Sequence, residues 1–195
     1  MQTGLRTWLA RSIAGVVGAT MLAGCTSEAF TGPNGPTTRT LAAANLTKAP
    51  ELGACDKLDA PLGSKVVYHV YARGVQIYRW NGSAWTLYGP DAILSADARG
   101  NSVVGTHYVG PTWESNSGSK VVGTVVDRCT PNPNAIAWLL LSGKASGKGI
   151  FSSVTHIQRV NTVGGVAPST PGAFIGAEVR IDYSTEYFFY RAPEA

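Results

Sequence analysis

Three histidines, His69, His107 and His156, are the side chains here best suited to moving a proton near neutral pH. Each falls in a separate apolar run, so a sheet could bring the imidazoles together. Zinc or copper would require that convergence together with a carboxylate such as Glu114 or Asp182. No H-x-H or H-E-x-x-H spacing accompanies them, and no metal site is expected. Paired carboxylates for glycoside hydrolysis would have to come from Glu114, Glu178, Asp182 and Glu186. Glu178 and Asp182 share one strand face with Arg180 between them, which reads as a solvated charged face. Serines are abundant, but no G-x-S-x-G elbow occurs. The run from Gly143 to Gly149 is not a phosphate-binding loop, because Gly149 stands where a Mg²⁺-binding Ser or Thr is required. No cofactor signature is present. Catalysis stays open only as a hydrolase in which His107 works with a nearby carboxylate, Glu114 or Asp127.

Aromatic residues are the other chemical resource. Trp80, Trp85, Trp113 and Trp138 are accompanied by Tyr78, Tyr88 and Tyr108. Such rings stack on sugars or on small apolar ligands, with convergent polar groups fixing orientation. A β domain poor in charge also needs large core residues, and alternation would bury about half of them. Trp113 follows Gly110-Pro111 and is expected to be exposed on a loop.

Strands must position these groups. Only 14% of the residues are charged and 44% are hydrophobic, while glycine (23) and proline (11) are plentiful. That balance excludes a disordered polyelectrolyte, a coiled coil and a helical bundle. Short apolar runs broken by turn signals begin near Ala60. They predict strands at Lys65–Tyr71, Val75–Trp80, Ala84–Tyr88, Ser102–Tyr108, Lys120–Asp127, Ile136–Ser142, Phe151–Asn161, Ala177–Tyr183 and Tyr187–Arg191. Asn81-Gly82-Ser83 supplies a tight hairpin. The expected fold is all-β, a single antiparallel sandwich or barrel-like domain of about nine strands following a disordered tether.

The N-terminus reads as an address. Arg6 and Arg11 precede an uncharged apolar run, Ser12 to Leu22, too short to span a bilayer. It ends in Leu22-Ala23-Gly24-Cys25, which resembles the lipobox of bacterial lipoproteins. The resemblance implies cleavage after residue 24 and palmitate-type acylation of Cys25, anchoring the chain to the membrane. Thr26 in place of aspartate then points to the outer membrane, facing the periplasm, in a Gram-negative host. Ser27-Glu28-Ala29 offers an ordinary signal-cleavage site as the alternative. Loss of Arg6 and Arg11 with the signal lowers the net charge from +4 to +2. No basic cluster is left to bind nucleic acid. The expected organisation is signal peptide 1–24, lipidated cysteine and flexible tether 25–59, and β domain 60–195.

With Cys25 lipidated, Cys55 and Cys129 form an even pair in an oxidising compartment. A bridge is expected, closing a loop of about 75 residues worth about 4.5 kcal/mol in chain entropy. Two free thiols are the alternative.

The stretch from Gly74 to Tyr190 resembles a family catalogued as domain of unknown function 3455, found in exported bacterial and fungal proteins. The pieces that carry the resemblance are Gly74-Val75-Gln76-Ile77-Tyr78, His107 with Gly110-Pro111-Thr112-Trp113, Trp138-Leu139-Leu140, Ile157-Gln158-Arg159-Val160-Asn161-Thr162, Gly164-Gly165-Val166-Ala167-Pro168, and Tyr187-Phe188-Phe189-Tyr190. Where members of that family often carry a cysteine after the Ala-Pro motif, this chain has Ser169-Thr170-Pro171. The polar residues within these motifs, His107, Trp113, Gln158, Arg159 and Asn161, are the candidate ligand-binding set. Gln158 and Arg159 must face opposite sides of their strand, so one pocket takes at most one of them. The expected role is a lipid-anchored binding or structural module of the cell envelope, with a glycan or small apolar molecule as ligand.

Overall fold

The computed structural model describes residues 48–193. Cys25, the signal segment and most of the tether lie outside the described residues. Eight strands follow a short 3₁₀ helix (Gly53–Leu58): β1 Lys65–Trp80, β2 Trp85–Ser95, β3 Val103–Tyr108, β4 Thr112–Ser115, β5 Lys120–Cys129, β6 Trp138–Ser146, β7 His156–Gly164 and β8 Glu178–Arg191. Each pairs antiparallel with the next, and β8 returns to pair with β1, so the sheet closes on itself as a barrel-like ring. Closure pairs most of the sheet on both sides, while residues 85–90 of β2 and 178–182 of β8 extend beyond it, paired with β1 alone.

Eight strands replace the nine expected because four predicted segments fuse into two and one unpredicted strand appears. Arg73-Gly74 reads as a break, yet β1 runs straight through it, with Gly74 paired to Ala92 on one side and Tyr183 on the other. A Cβ there would lie 2.2 Å from the Asp91 carbonyl oxygen and 2.6 Å from the Ala92 Cβ. Gly74 therefore marks a close strand approach rather than a turn. Ser184-Thr185-Glu186 likewise lies inside β8, where Thr185 Oγ1 donates to the Val160 carbonyl at 2.6 Å beside a register shift in β7. The unpredicted strand is β4, four residues that are too short to show alternation. Phe151 belongs to no strand: a turn with Ser152 N–H donating to the Gly149 carbonyl holds it ahead of β7. The Asn81-Gly82-Ser83 hairpin is formed, its Asn81 Oδ1 accepting from the Ser83 and Ala84 amides at 2.9 and 2.8 Å.

Two apolar clusters follow from the two faces of the closed sheet. Inside the ring, Val70, Leu94, Trp113, Val121, Leu141, Ile157, Tyr187 and Phe189 pack with Phe151. Outside, the 3₁₀ segment lays Leu52, Cys55 and Leu58 over Leu140, Val160, Phe188 and Tyr190. The segment read as the end of the tether is thus packed onto the domain as a strap. The Cys55–Cys129 disulfide pins it to the end of β5, and Lys57 pairs beside it with Asp127 at 2.8 Å.

Candidate functional site

At one end of the ring, His107, Trp113 and Arg159 converge on a cavity of about 330 Å³. Register explains the convergence. His107 on β3 is paired directly with Trp113 on β4, and Arg159 on β7 is paired with Leu139 on β6, all pointing inward. Leu87, Pro90, Val125, Leu139 and Leu141 give the wall its apolar character.

Trp113 is buried at 1% exposure, not displayed on a loop. Gly110-Pro111 makes the turn before it, but strand pairing then takes over and carries the indole into the ring. The His107 imidazole stacks on it, with centroids 4.2 Å apart and planes 11° from parallel. Tyr187 meets both rings edge-on at 5.1 Å. His107 Nδ1 lies 2.8 Å from the Thr112 carbonyl oxygen, which can only accept, so Nδ1 carries the proton and Nε2 the lone pair. Burial pushes the His107 pKa down to about 3; the Thr112 bond opposes this and the Arg159 charge adds to it. His107 is a neutral imidazole at neutral pH.

Arg159 is half-buried, and its Nε and Nη2 donate to the Ala137 carbonyl at 3.1 and 2.8 Å. That fork fixes the guanidinium plane at the cavity wall. Among the described residues no carboxylate lies within ion-pair distance of it, and no Asp or Glu lines the cavity.

Two of the expected ligand contacts sit elsewhere. Gln158 points out of the ring, as alternation demands: its Nε2 donates to the Leu58 carbonyl at 2.6 Å, and its Oε1 accepts from the Tyr190 hydroxyl. It clamps the strap and does not line this cavity. Asn161 is exposed at a left-handed backbone position (φ 53°) where β7 shifts register, and its Nδ2 donates to Glu186 Oε1 at 2.9 Å. Glu186 in turn accepts from His69 Nε2 at 2.7 Å, and the His69 and Asn161 bonds hold its carboxyl below the usual range. The carboxylates of the hydrolase reading are also committed away from the cavity. Glu114 accepts from Tyr108 at 2.7 Å and pairs with Lys120 at 3.1 Å, while Asp127 pairs with Lys57.

Sequence reasoning missed Gln76 and Tyr187, which line the cavity at 2% and 0% exposure. Gln76 carried a usable signal: it is a polar residue in phase with the inward Val70 and Ala72 of β1. Gln76 Nε2, Trp113 Nε1 and Tyr187 OH are buried polar atoms without a hydrogen-bond partner. Tyr183 and Arg159 lie close enough to influence the Tyr187 phenol, whose pKa burial raises, but neither reaches it with bonding geometry. Each such atom carries a desolvation cost of about 1–3 kcal/mol unless something bonds to it.

Among the described residues no three metal-ligating side chains gather. No curated protein and no solved structure matches the chain significantly. Residues 61–191 match the family described as "Protein of unknown function (DUF3455)", and the chain belongs to that family.

Proposed function

We propose that this chain is a small-molecule-binding domain of the cell envelope, held there by a lipid on Cys25. One observation carries the binding role: an apolar cavity of about 330 Å³ has in its wall a half-buried arginine, Arg159, with no carboxylate within ion-pair distance among the described residues. A fold that maximised only its own stability would fill such a space or pair that charge. The absence of carboxylates from the wall favours a small molecule with an apolar body over a glycan, whose hydroxyls are commonly met by acids and amides. Export is supported by the Cys55–Cys129 disulfide, which persists in oxidising compartments. The lipid anchor rests on Leu22-Ala23-Gly24-Cys25; no described helix is long and apolar enough to cross a membrane.

Calorimetric titration with 3-phenylpropan-1-ol tests the binding role. Binding is expected, together with its loss in Leu139→Trp, which fills the cavity while leaving the hydrogen-bonding groups intact. Saturable binding that survives in a folded Leu139→Trp variant would place the guest elsewhere. Cys25→Ser should move the protein from the membrane to the soluble fraction; persistent membrane association would remove the anchor from this reading.

A further inference from the structure

The cavity wall carries charge of one sign. Arg159 donates from Nε and Nη2 to the Ala137 carbonyl, which holds its guanidinium in place. Arg159 and Arg128 line the cavity and no Asp or Glu does; of the described carboxylates, Asp91, Asp127, Glu178 and Glu186 are paired with Arg180, Lys57, Arg79 and His69. The Arg159 charge acts on His107, Tyr78, Tyr183 and Tyr187 alike, so its field pervades this end of the ring.

Resting on the binding role proposed above, we infer that the ligand is an organic acid: an apolar body of about one ring with a carboxylate that docks on Arg159. A planar guanidinium already oriented by Ala137 suits a carboxylate, and the low-dielectric wall strengthens the charge-assisted bonds. The apolar wall of Leu87, Pro90, Val125, Leu139 and Leu141 takes the body. A volume of about 330 Å³ matches roughly eleven waters at ~30 Å³ each, or a guest of about ten to twelve non-hydrogen atoms.

The test compares 3-phenylpropanoate with 3-phenylpropan-1-ol, nearly the same size and differing in charge, by calorimetry on the intact protein at pH 7. The acid should bind at least ~10-fold more tightly. Arg159→Gln should weaken the acid by ~10- to 100-fold and so remove its advantage over the alcohol, with an unchanged circular-dichroism spectrum showing that the variant is folded. Arg159→Lys should recover part of the loss. Equal affinities for acid and alcohol, or a folded Arg159→Gln that binds the acid normally, would overturn the inference while leaving a binding cavity. Failure of both molecules to bind would overturn the cavity's binding role as well.

Discussion

Replacing Gln158 by leucine separates a clamp from a ligand contact, because the two roles demand opposite outcomes. Gln158 is 1% exposed, and its amide spans two equally hidden partners, the Leu58 carbonyl on the strap and the Tyr190 hydroxyl on β8. Gln158→Leu leaves both without a bond. At about 1–3 kcal/mol for each of the two orphaned groups, offset by about 1 kcal/mol from the apolar replacement, the net loss is about 1–5 kcal/mol. For a domain of this size that lowers Tm by about 2–20 °C. Tyr190→Phe orphans only the Gln158 oxygen and should cost about 1–2 kcal/mol. In the double variant the buried hydroxyl is gone, so the combined loss should fall short of the sum by about 1 kcal/mol or more. Urea unfolding of the four proteins measures this coupling, and titration with 3-phenylpropan-1-ol should give unchanged affinity in all four. A Gln158→Leu protein within 0.5 kcal/mol of wild type, or a folded one that no longer binds, would return Gln158 to the ligand set and refute its outward placement.

Three further outcomes follow from the same geometry. Reducing the Cys55–Cys129 bridge, or making Cys129→Ser, should lower stability in urea by up to about 4.5 kcal/mol without changing probe affinity, since the strap lies outside the ring. Unchanged stability would mean that packing alone holds the strap. His107, with its folded pKa near 3 against an ordinary 6.5, binds a proton in the unfolded chain first. Its contribution is therefore whole above pH 6.5 and is lost as pH falls toward 3, by about 2 kcal/mol at pH 5. His107→Gln should flatten the unfolding free energy between pH 5 and 6.5, and an equally steep slope in that variant would contradict the buried neutral ring. Gly123→Val should narrow the cavity, because a Cβ there lies 2.9 Å from both Leu141 Cδ2 and Trp113 Cζ3. The expected loss is about 1–3 kcal/mol of stability with weakened binding of the alcohol; unaltered affinity would show that the indole does not bound the guest.

Chemistry was easier to read from the residues than their exposure was. Alternation along Ile157-Gln158-Arg159 was enough to assign Gln158 and Arg159 to opposite faces, because period two is a property of the backbone itself. Whether a face is covered is a tertiary matter, and there local reasoning failed. Trp113 looked exposed because Gly110-Pro111 is a turn signal, yet the four residues of β4 are enough to pair with His107's strand and turn the indole inward. Gln158 looked functional because it is polar; nothing local announces that residues 53–58 fold back 100 positions later in the chain to receive its amide. Gly74 and Ser184-Thr185-Glu186 looked like breaks because glycine and polar clusters usually are. In a closed ring the same residues serve close approach and bulges.

Closure also bears on where the cavity lies. A ring of eight strands has just enough interior for side chains to fill or for one small ligand. At the end where β1 begins and β8 finishes, the β6–β7 connection turns inward and sets Phe151 between Tyr68 and Phe189, at centroid distances of 6.0 and 4.7 Å. The Phe151 amide is held there by Ser119 Oγ at 3.3 Å. Toward the opposite end the inward positions carry Gln76, His107 and Arg159 in place of aliphatic residues, and Gly165 of the β7–β8 connection packs close to Gln76, Tyr183 and Ile136. An aromatic stopper therefore fills one end, while at the other the space is bounded by Leu87, Pro90, Val125, Leu139 and Leu141 with the Arg159 guanidinium held among them by the Ala137 carbonyl.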